Sequence, residues 1–132
     1  MPLTVGMVLS LTASSCRKSG QVPNLHDRIV AAHTVQYCRP PDACFNPEVL
    51  AVESGYDVTT FLGSKPQHAP VPAKELAKYL QALPMQVWPR GPSIGISPTD
   101  DVTDQHAVEQ NFYSAQQICR SMGLDVQVRL GG

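Results

Sequence analysis

Between Thr103 and Leu130 the hydrophobic period changes once, from that of a helix to that of a strand, with almost no loop between the two. Val108, Phe112, Ala115, Cys119 and Met122 recur at steps of four and three, the one-sided stripe of a helix laid on a core. Thr103 is placed to cap this helix, Asp104 stands in its first turn and Arg120 in its last, where their charges suit the helix dipole. Gly123 stops it. Directly after, Leu124, Val126, Val128 and Leu130 alternate with Asp125, Gln127 and Arg129, which is the pattern of a strand with one buried face. A helix tied this closely to a half-buried strand has to fold back over a sheet, so the chain is expected to stack helices on strands.

The rest of the chain supplies further elements of both kinds. Pro72–Leu83 predicts a second helix: proline opens it, good helix formers follow, Leu76, Tyr79, Leu80 and Leu83 form its inner side, and Pro84 ends it. Tyr56–Leu62 is β-branched and aromatic enough for a strand, with Glu48–Glu53 as its antiparallel partner across Ser54 and Gly55. Met85–Trp88 and Ser93–Ser97 read as a hairpin around Pro89, Arg90, Gly91 and Pro92. Gly63–Pro72, polar and proline-bearing, reads as a connecting loop. Asn24–Tyr37 fits a helix capped by Asn24, although Ile29–Tyr37 also suits a strand. In order from residue 56 the pattern is βαββαβ, which predicts an α+β, ferredoxin-like antiparallel sheet with helices on one face, preceded by an extra N-terminal element.

Length and composition set the outer limits. One hundred and thirty-two residues are enough for a single domain. With 42% hydrophobic and 16% charged residues, the chain can bury a core. Ten Lys and Arg against eleven Asp and Glu leave no clustered positive charge, so nucleic acid is not an expected partner. No apolar run reaches the roughly eighteen residues that span a bilayer.

The first residues read as an address. Leu3–Ala13 is apolar and uncharged, which suits the central region of a secretory signal, and Ala13, Ser14 and Ser15 put small residues directly before Cys16. This arrangement resembles the lipobox of bacterial lipoproteins. The resemblance covers the first sixteen residues, and it implies cleavage before Cys16, lipidation of that cysteine and a place in the periplasm or on the outer membrane of a bacterium. Residues 1–15 are then a signal-like segment, 16–23 a flexible tether and 24–132 a single α+β domain. The other reading of Leu3–Leu11 is a buried first strand of a cytoplasmic protein.

Cysteine spacing fits an exported chain. Cys38 and Cys44 enclose a short proline-stiffened loop that can close into a disulfide. Cys119 falls on the helix stripe and is expected to be a buried thiol. The four cysteines contain no CxxC pair of the kind zinc sites use, so no metal and no cofactor is expected.

Screening for catalytic motifs returns none, and no catalytic residues are assigned. Asp100, Asp101, Thr103, Asp104 and His106 gather carboxylates and an imidazole before a helix, a set that can bind a cation or serve acid–base chemistry; helix capping explains the same residues with fewer requirements. His26 and His33 share a helical side without a third ligand nearby. Lys65 and His68 in the proline-bearing loop, and Trp88 with Arg90 in the turn, are the candidate contacts for a partner, because such loops make contacts and Trp and Arg are enriched at binding hot spots.

The expectation that follows is a non-enzymatic, exported cell-envelope protein that binds another envelope protein or a ligand and touches the membrane only through a lipid on Cys16. Two alternatives remain at this level. One is a small enzyme built from dispersed residues such as His33, His68, Asp101 and His106. The other is a cytosolic ferredoxin-like regulatory module that dimerises through the free sheet face or an edge strand.

Overall fold

The structure, a computed structural model, describes residues 24–33, 44–62 and 65–130. The signal-like segment, Cys16 and Cys38 lie outside the described residues. Among the described residues the fold is α+β: one five-stranded mixed sheet with three helices. In chain order the elements are α1 (Leu25–Ala32), β1 (Glu48–Val52), β2 (Gly55–Leu62), β3 (Lys65–Pro72), α2 (Leu76–Gln81), β4 (Ser93–Pro98), α3 (Gln105–Ser121) and β5 (Asp125–Val128). Short 3-10 turns occupy Ala73–Glu75 and Met85–Val87.

The strands lie in the order β3-β2-β1-β4-β5. β1, β2 and β3 form an antiparallel meander, while β4 lies parallel to β1 and β5 parallel to β4. This order does not confirm the ferredoxin-like arrangement, and the sheet is mixed where an antiparallel one was expected. Two local differences account for the change. Lys65–Pro72, expected as a loop, pairs along its whole length with β2. Met85–Val87, expected as a strand, is a 3-10 turn, so no hairpin surrounds Pro89–Pro92.

The prolines that make Lys65–Pro72 look like a loop are compatible with the ladder for a definite reason. Pro66, Pro70 and Pro72 stand opposite Phe61, Asp57 and Gly55. A proline has no N–H to give, so the hydrogen-bonded pairs must be the intervening ones, Leu62 with Lys65, Thr60 with Gln67, Val58 with Ala69 and Tyr56 with Val71. Every proline N atom then faces the open edge, where a missing donor costs the sheet nothing.

The helix ends agree well with local chemistry. Asn24 Oδ1 accepts the Asp27 N–H at 2.9 Å and starts α1 as a helix. Asp104, rather than Thr103, caps α3 by accepting the Ala107 N–H at 3.2 Å. At the other end, the Leu124 N–H donates to Cys119 O and the Gly123 N–H to Arg120 O, a Schellman motif with Gly123 at φ +82°.

Val108, Phe112, Ala115, Cys119 and Met122 are all buried, as the spacing predicts. They meet Val49, Ala51, Tyr56, Val58, Ile94 and Ile96 from one side of the sheet. Leu76 and Leu80 of α2 and Leu25 and Ile29 of α1 complete that core. The Arg28 guanidinium donates to Gln81 O, and the His26 N–H to Met122 O, so α1 sits across the ends of α2 and α3. The helices therefore form one layer on one face of the sheet, as expected, and the opposite face stays free of helices among the described residues.

Candidate functional site: the open face of the sheet

On the helix-free face, one row of residues runs across all five strands. His68 lies opposite Thr59, Thr59 opposite Glu48, Glu48 opposite Gly95 and Gly95 opposite Gln127. Successive side chains of a strand alternate between faces, and the next row, with Val49, Val58 and Ile96, is the buried one. The open row thus presents an imidazole, a hydroxyl, a carboxylate, a gap and an amide.

The gap at Gly95 has a use. A Cβ there would lie 3.3 Å from Arg129 Cζ, so the absence of a side chain lets Arg129 lie flat across β4. It reaches Glu48 on β1, where Nη1 and Oε2 are 2.6 Å apart. Both side chains are about half exposed, so the pair is screened and orients the groups more than it stabilises the fold.

Beside this pair a cleft of about 300 Å³ opens between Phe45–Glu48, Arg90, Ser93–Gly95, Gln127 and Arg129. Asn46 builds its wall. Its Nδ2 donates to Gly91 O at 2.7 Å and Ser93 O at 2.8 Å, and its Oδ1 accepts the Arg90 N–H at 2.8 Å. One side chain therefore fixes the turn that carries Arg90, while the Arg90 side chain itself stays exposed. At the far side Phe45 packs on Phe61, centroids 5.0 Å apart. Among the described lining residues are two arginines and one glutamate, a set with a positive excess.

The residues singled out in the sequence are divided by the structure. Arg90 lines the cleft. Lys65 and His68 lie on the exposed edge strand β3, with His68 Nδ1 hydrogen-bonded to Thr59 Oγ1 at 2.9 Å and 3.8 Å from Asp57 Oδ2. Trp88 is a correction: it is fully buried in the core and offers no surface to a partner, whereas Arg90, two residues on, is exposed. Cys44 stands at the rim of the cleft; its expected partner Cys38 lies outside the described residues. Glu48, Asn46, Gly95, Gln127 and Arg129 escaped the sequence reading, since the Glu48–Arg129 pair joins residues 81 positions apart and has no local signal.

The acidic cluster before α3 behaves as capping chemistry. Asp104 caps the helix, and Glu53 accepts both the Thr103 N–H at 2.6 Å and the Thr103 hydroxyl at 2.7 Å. These bonds hold the Glu53 carboxyl below its ordinary value, the backbone bond from Thr103 contributing most. His33 is occupied elsewhere, its Nε2 2.9 Å from Trp88 O. Among the described residues no group of three or more His, Cys, Asp or Glu side chains is close enough to hold a metal ion, and no helix is long and apolar enough to cross a membrane. Burial pushes the Cys119 thiol and the Tyr56 hydroxyl up to about 12 each; the latter donates to Asn111 O at 2.8 Å.

Compared with known proteins, the chain matches no family model, no curated protein and no solved structure.

Proposed function

We propose that this chain is an exported, non-enzymatic binding domain of the bacterial cell envelope, carried on a lipid where Cys16 is modified, and that it engages an acidic segment of another envelope protein at the Arg90 cleft. The observation that carries the reading is the charge arrangement there. Arg129 already shares its charge with Glu48, whereas Arg90 has its backbone clamped by Asn46 and an exposed side chain with no ion-pair partner among the described residues, available to take a carboxylate. The planar fork of an arginine matches a carboxylate with two parallel hydrogen bonds, and the bond is stronger for being charged. A recognition group on a pre-set turn loses less freedom on binding than one on a mobile loop.

The Cys38–Cys44 clasp belongs to the same proposal, since it would anchor the segment that presents Phe45 and Asn46. Its removal by Cys38→Ser is expected to cost about 2–5 kcal/mol of stability under oxidising conditions.

The test is cross-linking in intact envelopes followed by mass spectrometry, wild type beside Arg90→Glu. The proposal expects an acylated N-terminal peptide beginning at Cys16, and a partner cross-linked through the cleft that disappears in Arg90→Glu while the fold persists. An intact, unacylated chain in the soluble fraction overturns the location. An unchanged set of cross-links in Arg90→Glu overturns the binding site.

A further inference from the structure

The two edges of the sheet differ in kind. The β3 edge presents prolines at three of its four outward positions, Pro66, Pro70 and Pro72, so that His68 alone supplies an outward N–H there. The β5 edge carries no such block. The Asp125 N–H donates to Pro92 O at 2.8 Å and the Arg129 N–H to Ile96 O at 2.9 Å. The odd-numbered residues of β5 thus point their backbone groups toward β4, and the even-numbered ones, Val126 and Val128, point N–H and C=O outward. Val128 is 42% and Leu130 72% exposed, an apolar edge of the kind that pairs with another strand.

What pairs with it is written in the order of its residues. Leu124-Asp125-Val126-Gln127-Val128-Arg129-Leu130 is a chemical palindrome about Gln127. Laid antiparallel on a second copy of itself and centred there, Leu124 meets Leu130, Asp125 meets Arg129 and Val126 meets Val128, with Gln127 opposite Gln127. The hydrogen-bond phase agrees independently: Val126 and Val128 both point outward, so each such pair exchanges two backbone hydrogen bonds. Asp125 and Arg129 project from the same face, so each Asp125 stands opposite an Arg129 whose guanidinium reaches Glu48 in the single chain and would turn to the seam on pairing, an arrangement of opposite charges that stabilises cross-strand neighbours. A shift of one residue would put outward groups against inward ones, and a shift of two would break the charge match.

We propose that the chain forms a symmetric homodimer in which β5 pairs antiparallel with β5 of a second copy about a two-fold axis through Gln127. Two five-stranded sheets become one of ten strands, all helices lie on one side, and the two Arg90 clefts open side by side because Gln127 and Arg129 line them. A two-fold, self-complementary patch is the commonest form of closed assembly. The inference rests on β5 alone and holds whether or not the cleft binds an acidic partner.

The experiment is sedimentation velocity of the full 132-residue chain across the micromolar range, with three variants. Wild type is expected to sediment as a dimer. Val128→Pro removes an outward N–H that β4 does not use, and is expected to keep the melting temperature of the isolated fold while sedimenting as a monomer. Asp125→Arg sets two arginines against each other twice and is expected to weaken the dimer about tenfold or more. Gln127→Cys places two thiols on the axis at the close spacing of a non-hydrogen-bonded pair, about 4.5 Å between Cα atoms, and is expected to form an intermolecular disulfide on mild oxidation that Asp125→Cys does not. A wild-type chain that stays monomeric overturns the proposal, as does a dimer that survives Val128→Pro or cross-links through Asp125→Cys in preference to Gln127→Cys.

Discussion

Trp88 and Arg90 sit two residues apart and have opposite roles. Trp88 is fully buried and its Nε1 has no hydrogen-bond partner among the described residues, so packing must outweigh an unpaired donor that costs about 1–3 kcal/mol. Trp88→Ala is therefore expected to lower stability by about 3–5 kcal/mol, while Arg90→Ala, on an exposed side chain, is expected to stay within about 0.5 kcal/mol; urea melts of the two variants check both. Residue type alone nominated both for the surface, because Trp and Arg are both common at interfaces. Only the direction each takes from the turn separates them, and that depends on α1 and Asn46, which lie far away in sequence. Glu53 gives a pH signature at the same scale. Its carboxyl is held below its ordinary value of 4.5 by bonds from Thr103, so it supports the fold when ionised. That contribution is present above pH 4.5 and fades as the pH falls through the lowered value. The stability gap between wild type and Glu53→Gln is expected to be largest near neutrality and to close in acid, as melts at a series of pH values would show. A gap that widens in acid would contradict the assignment.

At the scale of elements, legibility followed the strength of the local signal. α3 and β5 could be read because their apolar residues repeat at a single period for several turns, and Gly123 marks the join. The boundary at Thr103 was off by one residue, since Thr103 and Asp104 are both good caps and the choice between them falls to Glu53, which binds Thr103. β3 could not be read, because proline is a breaker in every local rule and its tolerance depends on which way each N atom faces. That phase exists only once β2 is beside it. The argument predicts a specific liability. Pro66→Thr with Pro70→Thr restores two outward N–H groups without touching the ladder to β2, so the fold is expected to persist while concentration-dependent light scattering on heating increases. Scattering equal to that of wild type would mean that the prolines do not protect this edge.

For the whole molecule, one strand read as a loop and one turn read as a strand were enough to hide the topology. The element count hardly changes, yet moving a strand from after α2 to before it turns an expected βαββαβ string into a meander of three followed by two parallel additions. The candidate site was hidden for the same reason: Glu48, Gly95 and Arg129 become neighbours only through the order β1-β4-β5, so no spacing in the chain announces the cleft. The α+β class and the single helical layer remained legible, because they require only that every amphipathic stripe find one apolar face. That order also decides how the molecule opens. β1 and β4 are bonded on both sides and face α3, so their amides are expected to exchange with solvent only through global unfolding. Along β3 the phase argument makes a finer prediction: Gln67 and Ala69, whose N–H groups enter the ladder, should be protected, and His68 between them should exchange quickly. On β5 the amides of Asp125 and Gln127 should be protected in any state of association, whereas those of Val126 and Val128 should slow down only as the protein concentration rises and the edge becomes paired. Residue-resolved exchange at two concentrations therefore reads the strand order, the proline phase and the dimer in one measurement: fast exchange of Ala69 together with slow exchange of His68 would overturn the proline phase of β3, and concentration-independent exchange of Val126 and Val128 would overturn the pairing of β5.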